Sequence, residues 1–346
     1  MIEDLRKIIK FGTYAPSGDN TQPWSFCIKD NIISVFSVSK KDTSLYNFGN
    51  RASLIAVGAV LENMKIAAAN LGYASVVKIL VNSNEHVADI ILTKDNSVYE
   101  DDLFPFIKER RTNRKKYSKK IPAEMISSML NIKKEEGVHI KINTDSVKDI
   151  AAAASKNEKI VLESKSLHDF LFTHITWTDD EDIIKKGFFI KTLELNIFQN
   201  IVFKIFRNWN ILKFFNMFGI ANLVSKDNQK LYESSGAIIS FVIENMSNEY
   251  IVNLGMLMER VWLTATKYNL GVQPLTGITL LKNGALKHMP DQFSSKHRSI
   301  IKQEYDMIRD IFEVEKGEIL VMLRIGIAPK PTAITRREEP LINMVN

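Results

Sequence analysis

The order of apolar and polar positions divides the chain into helical and extended stretches. Leu5, Ile8, Ile9 and Phe11 recur at helical spacing over residues 3–14. Pro16 and Gly18 stop that helix, because proline restricts the residue before it and glycine permits a turn. Phe26–Ile28 and Ile32–Val38 read as a hairpin over Lys29, Asp30 and Asn31. Residues 52–72 carry a long apolar helical pattern closed by Gly72, and His86–Thr93 alternates as a strand. The polar, acidic stretch 94–106 interrupts the pattern and sets a boundary, with one half over 1–105 and a second over 106–346. The second half predicts a helix from Ile121-Pro122-Ala123-Glu124, a strand at 138–143 and a largely helical stretch over 147–232. A strand at Ala237–Glu244, a helix at 251–269, an exposed helix at 292–314 and a closing strand at Glu318–Ile327 follow.

The halves share this pattern. Ile32–Phe36 precedes the helix that holds Gly58, Glu62 and Ala68, and Ile238–Val242 precedes the helix that holds Gly255, Glu259 and Ala265. The two helices align without a gap from Ile55/Val252 to Tyr73/Leu270. Identities are few, so the alignment alone leaves duplication and chance similarity of apolar helices both open.

Composition narrows the classes. A chain of 346 residues is long enough for two cores, and 45% hydrophobic with 25% charged residues is an ordinary folded composition. The net charge of +6 is spread over lysines along the whole chain, without the basic stripe and interleaved aromatics of a nucleic-acid binder. The single cysteine, Cys27, excludes an internal disulfide and fits a reducing compartment, the cytoplasm. The opening Met1–Lys7 has acidic residues and no apolar signal-peptide core, and no uncharged apolar run reaches the ~18 residues of a spanning helix. The six histidines fall at no metal-ligand spacing, so no metal site is expected.

Three segments carry candidate chemistry. Ala15-Pro16-Ser17-Gly18-Asp19-Asn20-Thr21-Gln22-Pro23-Trp24 is a helix end running into a turn dense in small and amide residues, suited to the polar edge of a flat heterocycle. Arg110-Arg111-Thr112-Asn113-Arg114 offers guanidinium forks and a hydroxyl at the density a phosphate needs. Gly271-Val272-Gln273-Pro274-Leu275-Thr276-Gly277 leaves the long helix and reads as a tight turn presenting backbone N–H groups. Taken singly, each is also ordinary punctuation or a solvated basic cluster.

Together the three resemble the nitroreductase family of FMN enzymes, and Gly317-Glu318, Arg324-Ile325-Gly326 and Arg336-Arg337 match its closing elements. The Ala15–Trp24 match is the most specific, and the resemblance covers the chain except parts of 145–232. It implies an α+β, nitroreductase-like fold. Usual members place the arginine motif before Ala-Pro-Ser in a short chain that dimerises, with each flavin site shared between subunits. Here Ala-Pro-Ser comes first and the arginine motif opens the second half. The first half has Tyr73–Val77 where the second has its Gln-Pro-Leu-Thr-Gly loop, and the second half has no Ala-Pro-Ser segment. Each half holds what the other lacks, as in the Acg-like branch, where two fused pseudo-symmetric halves mimic the family dimer and a lid can cover the flavin.

The resemblance implies that Arg110, Arg111 and Thr112 hold the FMN phosphate and ribityl chain, with Arg336 or Arg337 assisting. Arg114 faces the pyrimidine edge, and Pro16, Ser17, Gly18 and Asn20 reach the flavin from the first half. Pro274, Leu275, Thr276 and Gly277 lie along the ring, with Thr276 where the family often has an acidic residue. NADH or NADPH is the implied electron donor and a small molecule the substrate. Because a flavin performs hydride chemistry itself, no catalytic acid, base or nucleophile is assigned; Ser17 and His174 lack a partnered constellation. The rival functions are a non-enzymatic FMN-sequestering protein and a specialised biosynthetic dehydrogenase or oxidase. The fused chain is expected as a monomer, with higher oligomers open.

Residues 197–223 are rich in Ile, Phe, Trp and Met with Lys204, Arg207 and Lys213 interspersed. Such apolar faces need cover. The reading preferred is a helical insertion or lid at about 190–230, packed over the flavin; contact with a membrane surface is the less favoured alternative.

Overall fold

Two sheets, each built around one long helix, carry the architecture of the computed structural model, which describes residues 1–80, 85–95, 97–118, 120–184 and 187–344. The first half contains α1 (Ile2–Gly12), β1 (Trp24–Lys29), β2 (Ile32–Ser37), α2 (Arg51–Asn70), β3 (Tyr73–Ile79) and β4 (His86–Lys94). The second opens with α3 (Ala123–Leu130) and β5 (Val138–Asn143), then α4 (Val147–Ala154), α5 (Lys156–Glu163) and α6 (Lys165–His174). A short parallel ribbon, β6 (Ile175–Thr176) and β7 (Phe188–Phe189), flanks α7 (Asp179–Ile184). Next come α8 (Ile197–Phe206), α9 (Trp209–Asn216), α10 (Ile220–Tyr232), β8 (Ala237–Ile243) and α11 (Asn248–Lys267). The chain closes with β9 (Leu270–Pro274), α12 (Gly277–Asn283), α13 (Ala285–His288), α14 (Ser295–Ile311), β10 (Glu318–Ile327) and β11 (Ile342–Met344).

The halves have one topology. The sheets run β1-β2-β4-β3 and β5-β8-β10-β9, so in each the order is strand, strand, long helix, strand, strand, with the last inserted beside the second. All these pairings are antiparallel. The chain end then returns to the first half, where β11 adds to β1 in parallel, Phe26 opposite Ile342. This is an α+β fold of two pseudo-symmetric halves. Burial alternates along β1 and β2, as expected when one face meets a core. β8 is buried at every position, because α11 packs on one of its faces and helices including α4 on the other.

The long helices meet at their glycines. A methyl group on Gly58 would stand 2.1 Å from the Val252 carbonyl oxygen, and one on Gly255 would stand 2.1 Å from the Ile55 carbonyl oxygen. These contacts are the same pair with the halves exchanged, since Ile55/Val252 and Gly58/Gly255 are equivalent positions in the helix alignment. Only glycine permits backbones to touch this closely. Around the crossing, Val57, Leu61, Leu254 and Val261 are fully buried and join both halves into one core.

Two expectations are corrected. Leu270–Pro274 is no tight turn but a strand hydrogen-bonded to β10, because Leu270 and Val272 have buried positions to fill in the second sheet. Tyr73–Val77 begins the equivalent strand of the first sheet. The helix expected to be exposed at 292–314 is amphipathic, with His297, Ile301, Tyr305 and Ile308 buried. One stretch, Leu45–Asn70, is long and apolar enough to cross a membrane, but 83% of its apolar window lies inside the fold, so it is a core helix.

Candidate functional site

A cavity of about 480 Å³ lies where the halves meet, within the usual range for a cofactor pocket. All three motifs reach it. Pro16, Ser17 and Gly18 come from the first loop, Thr112 and Arg114 from the arginine segment, and Pro274, Leu275, Thr276 and Gly277 from the end of β9 onward. The long helices contribute Ile55, Ala56, Met258 and Trp262, and α8 and α10 close a wall with Phe203, Phe206 and Tyr232.

The first loop holds its shape through unusual backbone. Asp19, Asn20 and Gln22 all adopt positive φ (45°, 58° and 48°), which Asp and Asn tolerate better than most residues. The Gln22 N–H donates to Ser17 Oγ at 3.0 Å. The C-terminal arm then staples the loop. Arg337 donates to Asn20 Oδ1 at 2.6 Å, the Asn20 amide donates to the carbonyls of Arg336 and Gly187, and the Glu338 N–H donates to Gln22 Oε1. Asn20 is therefore occupied in holding the arm and lies outside the cavity lining.

The arginines divide between two places. Arg114 lines the cavity, is depressed by burial from its ordinary pKa, and donates to the Thr192 carbonyl at 3.2 Å with Phe188 beneath its guanidinium. Among the described residues it makes no further hydrogen bond. Arg110 and Arg337 instead converge on the carbonyl of Tyr14, at the head of the first loop, at 2.9 and 3.3 Å. Arg110 also stands 3.1 Å from Glu259 and 4.5 Å over the Trp262 ring. Burial, reinforced by repulsion from Arg110 and Arg111, pushes Arg337 down to about 9, against the pull of Glu259. Its Nε is buried without a hydrogen-bond partner among the described residues. Arg111 is half-buried and, among the described residues, donates only to the carbonyls of Lys108 and Arg110. Arg336 is exposed beside Asp182, apart from this cluster.

The second half positions its segments through strand pairing. Asn113 N–H donates to the Val272 carbonyl at 2.8 Å, which ties the arginine segment to β9, and Leu275 N–H donates to the Met322 carbonyl. Arg324, fully buried, braces this wall: it donates to Gln273 Oε1 at 2.8 Å and to the carbonyls of Leu231 and Lys115, stacked over Tyr117. Gly277 is packed against Asn157, whose Oδ1 a methyl group there would meet at 2.2 Å.

Several polar groups of the cavity were not assigned a role from sequence. Burial and repulsion from Asp42 push the Asp19 carboxyl up to about 6, against the pull of His174 and Arg114. Asp42 is raised as well, chiefly by burial. On the opposite side, burial pushes Glu158 up to about 7; Tyr232 donates to its Oε1 at 3.0 Å, and its Oε2 is buried without a partner. Tyr46 donates to Asn157 Oδ1 at 2.9 Å. Asp19 sits inside a motif, whereas Glu158 lies among Lys156, Asn157 and Lys159 and reads in sequence as a solvated turn of helix.

No family model matches the chain. Among curated proteins it is 24% identical over 336 residues to the Mycobacterium tuberculosis protein MT1398, covering 93% of this chain and 46% of that one. It is 29% identical over 176 residues to acg of the same organism, named as an NAD(P)H nitroreductase, covering 49% of this chain and 53% of acg. The chain spans about half the length of the curated relatives it matches. Among solved structures, a nitroreductase from Anabaena variabilis superposes with a TM-score of 0.49 at 9% identity, over 86% of this chain and 69% of that one. The FMN-dependent nitroreductase NfnB of Mycobacterium smegmatis, in complex with NADPH, gives 0.35 at 12% identity, over 64% and 86%. In its motifs and over the segment it shares with acg, this chain is similar to the nitroreductase-like family.

Proposed function

We propose that the chain binds one FMN in the cavity between its halves and is an FMN-dependent oxidoreductase, passing hydride from NADH or NADPH to a small-molecule acceptor. The observation that carries this reading is that three motifs far apart in sequence line one cavity, with Arg110 over the lining residue Trp262 and joined by Arg337 at the Tyr14 carbonyl. The residues present fit the cofactor. Arg110, Arg111 and Arg337 repel one another around Tyr14, and Arg337 keeps a buried donor unpaired, so a phosphate there relieves the repulsion and takes the donor. Arg337, rather than Arg336, is the arm's contribution. Arg114 turns its free donors toward the acceptors of a pyrimidine edge, while Pro274–Gly277 and Pro16–Gly18 offer flat walls.

A bound flavin accepts and donates hydride by its own chemistry. The chain's part is to orient the ring, to exclude water with Phe203 and Phe206, and to hold protons on Asp19 and Glu158, both of which titrate near neutrality in the cavity. The matching topology and glycine crossing support a duplicated chain, joined near residue 105, that imitates a dimer while keeping one complete site. A single FMN per chain is therefore expected when released flavin is measured against protein; two equivalents, or none under saturating FMN, overturn the reading. The wall made by α8 and α10 also favours a second reading, a flavin-sequestering protein. Anaerobic bleaching by NADPH or NADH with reoxidation in air supports the enzyme, and a flavin inert to both donors supports sequestration.

A further inference from the structure

Helices α8–α10 face two ways. Inward, Phe203 and Phe206 wall the cavity and Leu212 is buried. Outward, α8 leaves Ile197 and Phe198 84% and 75% exposed, with Ile201 and Ile205 following at helical spacing. A second stripe runs along α9 and the turn after it: Ile211, Phe214, Phe215, Met217 and Phe218, the last two 78% and 74% exposed. Only part of the segment's apolar rings, Phe203 and Phe206 among them, is therefore taken up at the cavity. An amphipathic helix on a protein surface shows polar residues to solvent. This one shows its large apolar residues.

The charge on the same segment is of one sign. No Asp or Glu occurs from Leu195 through Lys226, whereas Lys204, Arg207, Lys213 and Lys226 do. Lys204, Arg207 and Lys213 are exposed, and among the described residues neither Lys204 nor Lys213 has an acidic partner. A second copy of the chain seated on this face would bring these cations against their own counterparts. A surface of negative charge with an apolar layer beneath it satisfies both features at once. Interfacial helices are built this way, with rings and aliphatic chains below the headgroups and Lys and Arg reaching up to them.

We infer that the outer face of α8 and α9 is an attachment surface for an anionic lipid bilayer. The inner face of the same helices walls the cavity, so attachment sets that wall at the lipid interface. The surface itself does not depend on what the cavity binds, and its test needs no flavin chemistry.

The test is co-sedimentation of the full chain with vesicles of phosphatidylcholine alone and of phosphatidylcholine mixed with phosphatidylglycerol. Binding is expected to the anionic vesicles, at least tenfold stronger than to the zwitterionic ones, and weakened about tenfold on raising salt from about 0.1 M to about 0.5 M. A Phe198→Ser/Phe214→Ser/Phe218→Ser variant changes only exposed positions, so it is expected to keep its melting temperature and lose binding. A Lys204→Glu/Lys213→Glu variant is expected to lose the preference for anionic vesicles. No binding to either vesicle overturns the inference, as does equal, salt-insensitive binding to both. A dimer in light scattering that the phenylalanine variant abolishes, without vesicle binding, overturns it in favour of a second copy.

Discussion

Replacing Gly58 by alanine puts one methyl group where two helix backbones meet. That methyl stands 2.1 Å from the Val252 carbonyl oxygen and 2.9 Å from Gly255 Cα and Met256 N, against the 3.4 Å at which ordinary contact begins. The neighbours are backbone in a buried helix, so no rotamer change relieves the clash. α2 and α11 must separate by about 1 Å, loosening the packing of Val57, Leu61, Leu254 and Val261. Overpacking of a tight core costs about 1–3 kcal/mol, and alanine's better helix propensity offsets about 0.5–1 of it. Because the neighbours are backbone, the cost lies at the upper end, about 3 kcal/mol, and a net loss of about 2 kcal/mol is expected in urea unfolding followed by circular dichroism. Gly12→Ala is the comparator: its methyl meets Met64 Cγ at 2.7 Å, a side chain free to move, and its cost is expected below about 1 kcal/mol. Because separating the helices once also makes room at Gly255, the Gly58→Ala/Gly255→Ala variant is expected to cost less than the sum of the single changes. The same separation pulls Ile55 and Ala56 away from Met258 and Trp262 across the cavity, so bound flavin is expected to fall in parallel. Equal stability of Gly58→Ala and Gly12→Ala would refute the reasoning, and strict additivity of the pair would refute the shared crossing.

Arg111→Ala is expected to weaken FMN binding about tenfold or more, since a charge-assisted phosphate contact contributes about 1.5–3 kcal/mol, while the melting temperature barely moves; equilibrium dialysis showing unchanged affinity returns the residue to the solvated surface. Glu158 titrates at about 7 in the fold against about 4.3 when unfolded, so the native state holds the extra proton between those values and stability falls as pH rises through that window. Glu158→Gln escapes this loss and is expected to gain roughly 1–3 kcal/mol on the parent between about pH 5 and about pH 8; parallel urea curves at both pH values count against the assignment. Deleting residues 336–346 removes β11 and the Arg337 staple on Asn20, and is expected to release flavin before it unfolds the second sheet; full retention of FMN in the shortened chain excludes the arm from the site.

The long-range order of the fold was legible because its signals are periodic. The apolar pattern of residues 52–72 becomes α2 over Arg51–Asn70, and the alternation at His86–Thr93 becomes β4. Short strands without turn residues were legible too, the hairpin of β1 and β2 and the strand at Val138–Asn143 among them, but β9 was not. Leu270–Pro274 contains a glycine and a proline, which mark a turn in sequence, yet it lies at the edge of the second sheet, where a proline costs few ladder bonds. The candidate site was legible as motifs but not as geometry. Asn20 and Arg110 belong to the motifs, and the fold spends them on positioning: one holds the C-terminal arm, the other pairs with Glu259. Glu158, Tyr232 and Asp42 reach the cavity from parts of the chain that no motif marks, and only tertiary packing brings them together.

The asymmetry between the halves has a physical root at the helix crossing. Glu62 and Glu259 are equivalent positions, both buried, and the next pair of equivalent positions is Asn63, buried, and Arg260, partly exposed. On one side Glu62 pairs with Arg260, which also reaches Asp101 at 2.8 Å. The exchanged contact sets Glu259 beside Asn63, which pulls on its carboxyl without supplying a charge. A buried carboxylate left with an amide alone is costly; even against the pull of Arg110, burial pushes Glu259 up to about 7. Arg110 supplies the missing cation at 3.1 Å, and in doing so it anchors the start of the segment that carries Thr112 and Arg114 into the cavity. On the Glu62 side Arg260 already fills that place, and no arginine segment is needed. One substitution between equivalent positions, asparagine against arginine, thus matches the presence of an anchored arginine motif at one site and its absence at the other.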